Sequence, residues 1–258
     1  MLSYQHAYHA GNLADVHKHA LLATALDYLT AKDKPLSYLE SHAGRGLYRL
    51  DAPEAVKTGE AAAGIARVQD WFAPDHPYAR ARASVIAVHG PTAYPGSPLV
   101  AAALLRADDT MTLAELHPQE APALIAALPP GRAIVCAEDG LQMALARTPP
   151  MPRRGILLID PSYEVKADYD SLPGLLAQVH RKWNVGVLML WYPILRSGGQ
   201  MAMAGALRMA FPDALHSEVR FPPPRDGHGL IGSGMVVINP PWGLVDEAAR
   251  LKPLFAAL

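Results

Sequence analysis

Gly155-Ile156-Leu157-Leu158-Ile159-Asp160-Pro161-Ser162-Tyr163 is the stretch on which the reading of this chain turns. Five apolar residues without polar alternation fit a short strand buried on both faces, as in a parallel sheet. The run stops at an acid, a proline and an aromatic ring. In an open α/β sheet, groups just beyond the carboxyl end of a strand stand at the edge where ligands bind. Asp160 and the carbonyl of Pro161 can each accept a proton of one amine, and proline holds its own φ fixed. Tyr163 adds a flat face for a base. As plain structure, Asp-Pro opens many turns and Tyr often closes a core edge. The buried run ahead of the acid favours the chemical reading.

Comparable apolar runs recur along the chain. Strands are expected over 36–40, 111–116, 133–137, 155–160, 185–191, 217–221 and 234–239. Helical patterns cover 15–31, 98–107, 118–128, 140–147, 168–182, 201–211 and 242–258. Such alternation predicts an α/β fold with a mostly parallel sheet covered on both faces. Residues 47–96 fit it poorly. They hold a helical-looking piece at 53–72, then Ala73-Pro74-Asp75-His76-Pro77, and lead into Tyr94-Pro95-Gly96-Ser97-Pro98. They read as an inserted helical subdomain within one domain spanning 1–258. Residues 219–228, with three consecutive prolines, read as a turn or exposed loop.

Composition narrows the class. Half of the 258 residues are hydrophobic and 18% are charged, enough for a substantial core. A net charge of −1 excludes a strongly cationic nucleic-acid coat. The small clusters at Arg45, Arg49, Arg80, Arg82, Arg153, Arg154, Arg181 and Lys182 read as solvated surface. No apolar stretch reaches the roughly 18 residues of a membrane span. The first residues lack the layout of a signal peptide. Cys136 is the single cysteine and reads as a small core residue. The expected compartment is the cytoplasm.

Other strand ends carry their own candidates. Glu40-Ser41-His42-Ala43-Gly44-Arg45-Gly46 offers glycines that let backbone approach a ligand, although glycines are common in any tight strand-to-helix turn. Glu115, in Leu113-Ala114-Glu115-Leu116-His117, can accept from a ribose diol or simply favour a helix start. Asp139 can accept from the amino group of a cofactor adenine, and Gly140 would let that ring lie on backbone. The alternative is an ordinary Asp-Gly turn. At the N-terminus Tyr4, His6, His9, Asp15, His17, Lys18 and His19 crowd together. Their spacing matches no zinc pattern, so structural histidines or a polar site wall outrank a metal site.

An acid, a fixed carbonyl and an aromatic ring suit one problem, methylation of the exocyclic amine of adenine. That nitrogen is a poor nucleophile, because its lone pair is delocalised into the ring. Two acceptors can hold both N–H groups and turn the lone pair toward an electrophile.

Taken together, the motifs resemble the ribosomal RNA large subunit methyltransferase J family. The resemblance rests on the N-terminal cluster, His42-Ala43-Gly44-x-Gly46, Tyr94-Pro95-Gly96-Ser97-Pro98, Glu115-Leu116-His117-Pro118, Asp139-Gly140 and Asp160-Pro161-x-Tyr163-Glu164. Leu190-Trp191-Tyr192-Pro193 and Gly234-Met235-x-Val237-Ile238-Asn239-Pro240-Pro241-Trp242 extend it over nearly the whole chain. It implies a Rossmann-like sheet with a small helical insertion, and S-adenosyl-L-methionine-dependent methylation of N6 of one adenine in 23S ribosomal RNA. The implied cofactor contacts are His19, His42, Ser97, Glu115, Asp139, Gly140 and Asp160. Asp160, Pro161 and Tyr163 would be catalytic, and Tyr4, His6 and Lys18 would face the substrate. No metal is implied. A monomer acting on naked or early-assembly RNA is expected. Ser162 departs from the usual Asp-Pro-Pro-Tyr, which predicts a less rigid loop with both acceptors kept. Three rival readings are an adenine methyltransferase acting on DNA, a metal-dependent hydrolase built on the N-terminal histidines, and a nucleotide-binding protein without turnover.

Overall fold

The computed structural model describes residues 6–223 and 229–258. Helix α1 runs Leu13–Thr30, followed by β1 (Ser37–Glu40) and β2 (Leu47–Arg49). Helices α2 (Pro53–Thr58), α3 (Glu60–Ala63), α4 (Ile65–Val68) and α5 (Pro77–His89) lead to β3 (Ala93–Pro95). The chain then alternates through α6 (Ser97–Leu104), β4 (Thr110–Ala114), α7 (Glu120–Ala127), β5 (Ile134–Cys136), α8 (Gly140–Ala146), β6 (Gly155–Ile159), α9 (Ala167–Lys182) and β7 (Val187–Leu195). It closes with α10 (Met201–Ala210), β8 (Leu215–Arg220), β9 (Leu230–Ile238) and α11 (Leu244–Ala256).

Seven strands form one sheet in the order β5-β4-β1-β6-β7-β9-β8. Pairings from β5 to β7 are parallel, and β9 runs antiparallel to both β7 and β8. This is the mostly parallel sheet that the alternation predicts, and the Rossmann-like order that the resemblance implies. The period-two geometry of a strand explains why β6 and β7 are apolar throughout. Ile156, Leu158, Val187 and Met189 join the core beneath α1, α5, α6 and α11. Their neighbours Leu157, Ile159, Leu188 and Leu190 face Met143, Leu172, Leu176, Val179 and Leu207 on α8, α9 and α10. Each such side chain, fully withdrawn from water, contributes roughly 1.5–3 kcal/mol.

Helix α1 is buried almost all round, and its buried residues include Asp15, His17, Lys18 and His19. A helix with so little exposed face lies between layers rather than on a surface. Asn12 caps it, accepting the Asp15 N–H through Oδ1 at 2.9 Å. The charged residues of its first turns are thereby carried into the interior at the sheet's carboxyl edge.

Residues 47–96 differ from the helical piece expected. The 53–72 stretch is broken into α2, α3, α4 and a 3-10 turn at Gln69–Trp71. Gly59 ends α2 at φ 68°, and a Cβ on Gly64 would lie 2.1 Å from the Gly11 carbonyl oxygen. That close approach lets the Ile65 N–H donate to Gly11 O at 2.8 Å. Helix α5 begins at the end of the 73–77 stretch, with Pro77 in its first turn and His76 Nδ1 accepting the Tyr78 N–H. β2 and β3 pair antiparallel, with Tyr48 opposite Tyr94. Strand β7 also runs past Trp191, because β9 starts early enough to pair Ser233 with Pro193. The 219–228 loop is described only in part, since 224–228 lie outside the described residues and β8 continues to Arg220.

Candidate active site

The sheet order reverses between β1 and β6, since β4 lies on one side of β1 and β6 on the other. Glu40 is level with Leu113 and with Leu158. Two residues onward in each strand come His42, Glu115 and Asp160, so all three leave the sheet at one height. A crevice at such a switch point is where open α/β sheets bind ligands. A cavity of about 610 Å³ opens there, lined by His6, Lys18, His19, His42, Ser97, Glu115, Asp139, Gly140, Asp160, Pro161 and Tyr163 among others.

On the β4 and β5 side, backbone holds the acids. Gly44, at φ 62°, donates its N–H to Glu115 Oε2 at 2.7 Å. The His117 N–H donates to Oε1 at 2.8 Å. A Cβ on Gly44 would sit 2.6 Å from the Tyr48 hydroxyl, so the turn requires glycine. Asp139 caps α8, its Oδ1 accepting from Leu141 and Gln142 N–H at 2.9 Å each. It is therefore both an ordinary helix cap and part of the cavity wall. Glycine at 140 has a packing reason, because a Cβ there would fall 1.6 Å from the Ser41 carbonyl oxygen. His42 Nδ1 pairs with Ser41 Oγ at 2.7 Å. Burial pushes the His42 pKa down, against the pull of Asp160 and Asp139.

Beneath this wall, Glu40 is fully buried. Ser97 Oγ donates to its Oε1, and the Tyr38 hydroxyl donates to Oε2 at 2.8 Å. Burial pushes the Glu40 carboxyl up to about 8, against the two hydrogen bonds, with Asp160 adding to the rise.

On the β6 and β7 side, side chains hold the acid. Lys18 Nζ donates to Asp160 Oδ2 at 2.5 Å and lies 3.1 Å from Asp15 Oδ1. Burial opposes the ammonium charge, but Asp160 and Asp15 outweigh it and hold the Lys18 pKa above the lysine range. Burial likewise opposes the Asp15 carboxylate, and His6, Lys18 and His19 prevail, keeping its pKa well below the usual range. Asp15 Oδ2 also accepts the Gly11 N–H at 2.9 Å and meets His6 Nε2 at 2.8 Å. His19 turns Nδ1 to the Tyr94 hydroxyl at 3.2 Å, and burial drops its pKa to about 3. Its Nε2 is buried without a hydrogen-bond partner among the described residues.

A family model described as "Ribosomal RNA large subunit methyltransferase D, RlmJ" matches residues 33–258. The chain belongs to that family. It is 39% identical to a ribosomal RNA large subunit methyltransferase J of Escherichia coli, covering 98% of this chain and 92% of the relative. The corresponding Haemophilus influenzae protein is also 39% identical over the same shares. The crystal structure of a Legionella pneumophila protein superposes with a TM-score of 0.83 at 34% identity, over 96% of this chain and 93% of that one.

One site expectation looks different in three dimensions. Tyr163 is 8% exposed, with its ring stacked on Tyr169 at 4.6 Å and its hydroxyl donating to the Trp191 carbonyl at 2.6 Å. One of its faces is therefore already taken. Tyr4 lies outside the described residues. Ser162, where the family's usual motif has proline, is exposed between buried Pro161 and buried Tyr163. Tyr163 sits at φ 58°, so the turn's shape is set at the tyrosine and by its anchored ring.

His6 and His19 both face Asp15, and the other two N-terminal histidines are engaged elsewhere. His9 Nδ1 meets Glu60 Oε1 at 2.9 Å, and His17 lies between Ser233 and Ser217. Among the described residues no group of three His, Cys, Asp or Glu side chains is arranged to hold a metal ion. No described helix is long and apolar enough to cross a membrane. Arg49, Arg80, Arg153, Arg181 and Lys182 are exposed as expected, whereas Arg45 and Arg154 are half-buried. Arg45 chelates Glu120, and Arg154 donates to the Leu29 and Lys34 carbonyls at the end of α1. Residues that strand-end logic passes over are Asp15 and Trp191. Asp15 was legible as the acid one helical turn before Lys18 and His19. Trp191 closes the expected 185–191 strand and belongs to the Leu190-Trp191-Tyr192-Pro193 motif, but no chemistry was read from it, and the strand runs on past it to Leu195.

Proposed function

We propose that this chain transfers a methyl group from S-adenosylmethionine to the exocyclic N6 of one adenine in 23S ribosomal RNA. The observation that carries this reading is Asp160, placed at the switch point of the sheet beside the cavity in a member of this family. The residues present fit the cofactor. The cavity is large enough for a nucleoside-sized ligand, Glu115 is pre-oriented by two backbone N–H groups, and buried His19 Nε2 has no hydrogen-bond partner among the described residues. Glu115 would take the ribose diol and Asp139, beside Gly140, the adenine amino group. His19, His42 and Ser97 would line the remainder. When bound, the cofactor supplies the electrophilic methyl group.

The chain's own residues do the rest. Asp160 accepts one N–H of the target amine and the Pro161 carbonyl accepts the other, which turns the nitrogen lone pair out of the ring plane. Asp160 then takes the proton that N6 releases. Lys18 balances the charge on Asp160, and His6 faces the RNA, for which Tyr4 would be a further contact. Unstacking the adenine costs a few kcal/mol, less where the RNA is already irregular. The 47–96 segment serves as an inserted subdomain that braces the N-terminal residues, a reading supported by Glu60 on His9 and Asn12. A monomer working in the cytoplasm on naked or partly assembled RNA completes the proposal.

Mapping N6-methyladenine in 23S RNA from cells with and without the gene tests it. One adenine should lose its methyl group when the gene is absent. Purified enzyme should label naked 23S RNA rather than duplex DNA. Labelling of duplex DNA alone, or an unchanged map, would contradict the proposal.

A further inference from the structure

Trp191 is an unassigned aromatic ring of this cavity, and it is held from both ends. Its carbonyl accepts the Tyr163 hydroxyl at 2.6 Å, and its indole Nε1 donates to Ser233 Oγ at 2.9 Å. Ser233, fully buried on β9, is in turn 2.9 Å from His17 Nδ1. The other His17 nitrogen meets Ser217 Oγ at 2.9 Å. Burial pushes the His17 pKa down to about 3, so the ring is neutral and presents one donor and one acceptor to the two hydroxyls. A fully buried polar histidine is costly unless both nitrogens are satisfied. Here both are, and the chain of bonds ends on the plane of an indole that lines the cavity. Nothing in the transfer step uses His17 directly.

The Lys18 ammonium marks what that indole faces. It donates to Asp160 Oδ2 at 2.5 Å and lies 5.6 Å from the centroid of the Trp191 ring. These are the two contacts that the amine of an aminopurine would make, a hydrogen bond to the acid and a π-face beside it. The same ammonium is already 3.1 Å from Asp15, which can keep it when Asp160 takes another donor. Tyr163 is less available, since Tyr169 stacks on it and only 8% of its surface is exposed. Trp191 is half-buried and tilted 59° to Tyr163 at 6.1 Å, forming the second side of a corner beside Asp160.

We infer that Trp191 is the aromatic wall on which the target adenine stacks, oriented by the Ser233–His17 bonds, and that Lys18 occupies the amine's place on Asp160 until the base arrives. Trp191 would thus touch substrate, whereas Ser233 and His17 are positioning residues. The inference rests on the methyl-transfer reading and deepens it by naming the surface that receives the base.

The test is steady-state methylation of a 23S RNA fragment at saturating S-adenosylmethionine, with cofactor affinity measured in parallel by calorimetry. Base-on-aromatic stacking predicts a fall in kcat/KM of roughly 5- to 150-fold for Trp191→Ala. Cofactor affinity should stay within about twofold, since no cofactor contact is removed. Trp191→Phe, which keeps a ring, should recover most of the loss. Ser233→Ala removes one hydroxyl from the relay and should cost roughly 2- to 10-fold in the same parameter. This mild change keeps the test decisive if Trp191→Ala does not fold. Wild-type turnover by Trp191→Ala or by Ser233→Ala, or a Phe variant as poor as Ala, overturns the inference alone. A wild-type enzyme that binds cofactor but methylates no RNA overturns the underlying reading, and this inference with it.

Discussion

The two halves of the cavity hold their acids by different means. On the β4–β5 side, Glu115 and Asp139 are gripped by backbone N–H groups of turns that the glycines permit. On the β6–β7 side, Asp160 is held by one lysine, itself shared with Asp15. Backbone donors cannot leave without unfolding a turn, so the first pair is preset and suits a ligand that always binds the same way. A lysine can swing away, so Asp160 can exchange one donor for another. The difference teaches that the cofactor half is rigid by construction and the substrate half is switchable.

Removing the exchangeable partner should have the largest effect on stability. Lys18→Met leaves buried Asp15 and partly buried Asp160 without their shared cation, which costs about 3 kcal/mol. Urea unfolding of this variant should show that loss, and a change below about 1 kcal/mol would mean that the pair is not buried in solution. On the other half, Glu115→Ala should barely alter stability while weakening S-adenosylmethionine. Loss of charge-assisted hydrogen bonds predicts roughly 10- to 100-fold weaker binding by calorimetry. Unchanged affinity would detach Glu115 from the cofactor.

Acidity sharpens the comparison. His17 and His19 have pKa values near 3 in the fold, against an ordinary 6.5. Both are neutral when folded, so each contributes stability above pH 6.5 that is lost as pH falls toward 3. Glu40 is raised from 4.5 to about 8, so its contribution is present below 4.5 and is lost as pH rises through 8. Between pH 6.5 and 4.5 two histidines oppose one glutamate. The net effect is a loss on the order of 1 kcal/mol per pH unit on acidification. Above 6.5 only Glu40 among the three acts, and stability declines toward 8. Urea midpoints at pH 5, 6.5 and 8 should therefore peak at the middle value, and Glu40→Gln should remove the alkaline decline. The smallest effect is expected at Ser162. It is exposed and its buried neighbours define the turn, so Ser162→Pro should change turnover by less than about fivefold.

What could be read in advance follows the same division. Strand ends were legible because long apolar runs mark buried strands, and an acid immediately after one must emerge at the sheet's edge. That placed Glu115, Asp139 and Asp160 in one crevice. The β2–β3 pair was not legible, since three-residue strands show no alternation to read. Helix α5 was legible in principle from Pro77 at its start, but the 53–72 pattern stood out over the residues after the prolines around His76. The packing reason for Gly140 was not legible, because only the fold reveals the Ser41 carbonyl against it. The same holds for Tyr163, whose free face is reduced by a residue six positions along the chain. Contacts between distant segments, such as Ser233 with His17, leave no local trace at all.

The central claim is that Asp160 accepts the target amine's proton. The most direct measurement is single-turnover methyl transfer to 23S RNA by Asp160→Ala, with folding and cofactor binding checked on the same preparation. The account predicts a folded protein that still binds S-adenosylmethionine and transfers methyl groups at least about 100-fold more slowly. Near-normal transfer by that variant would contradict it.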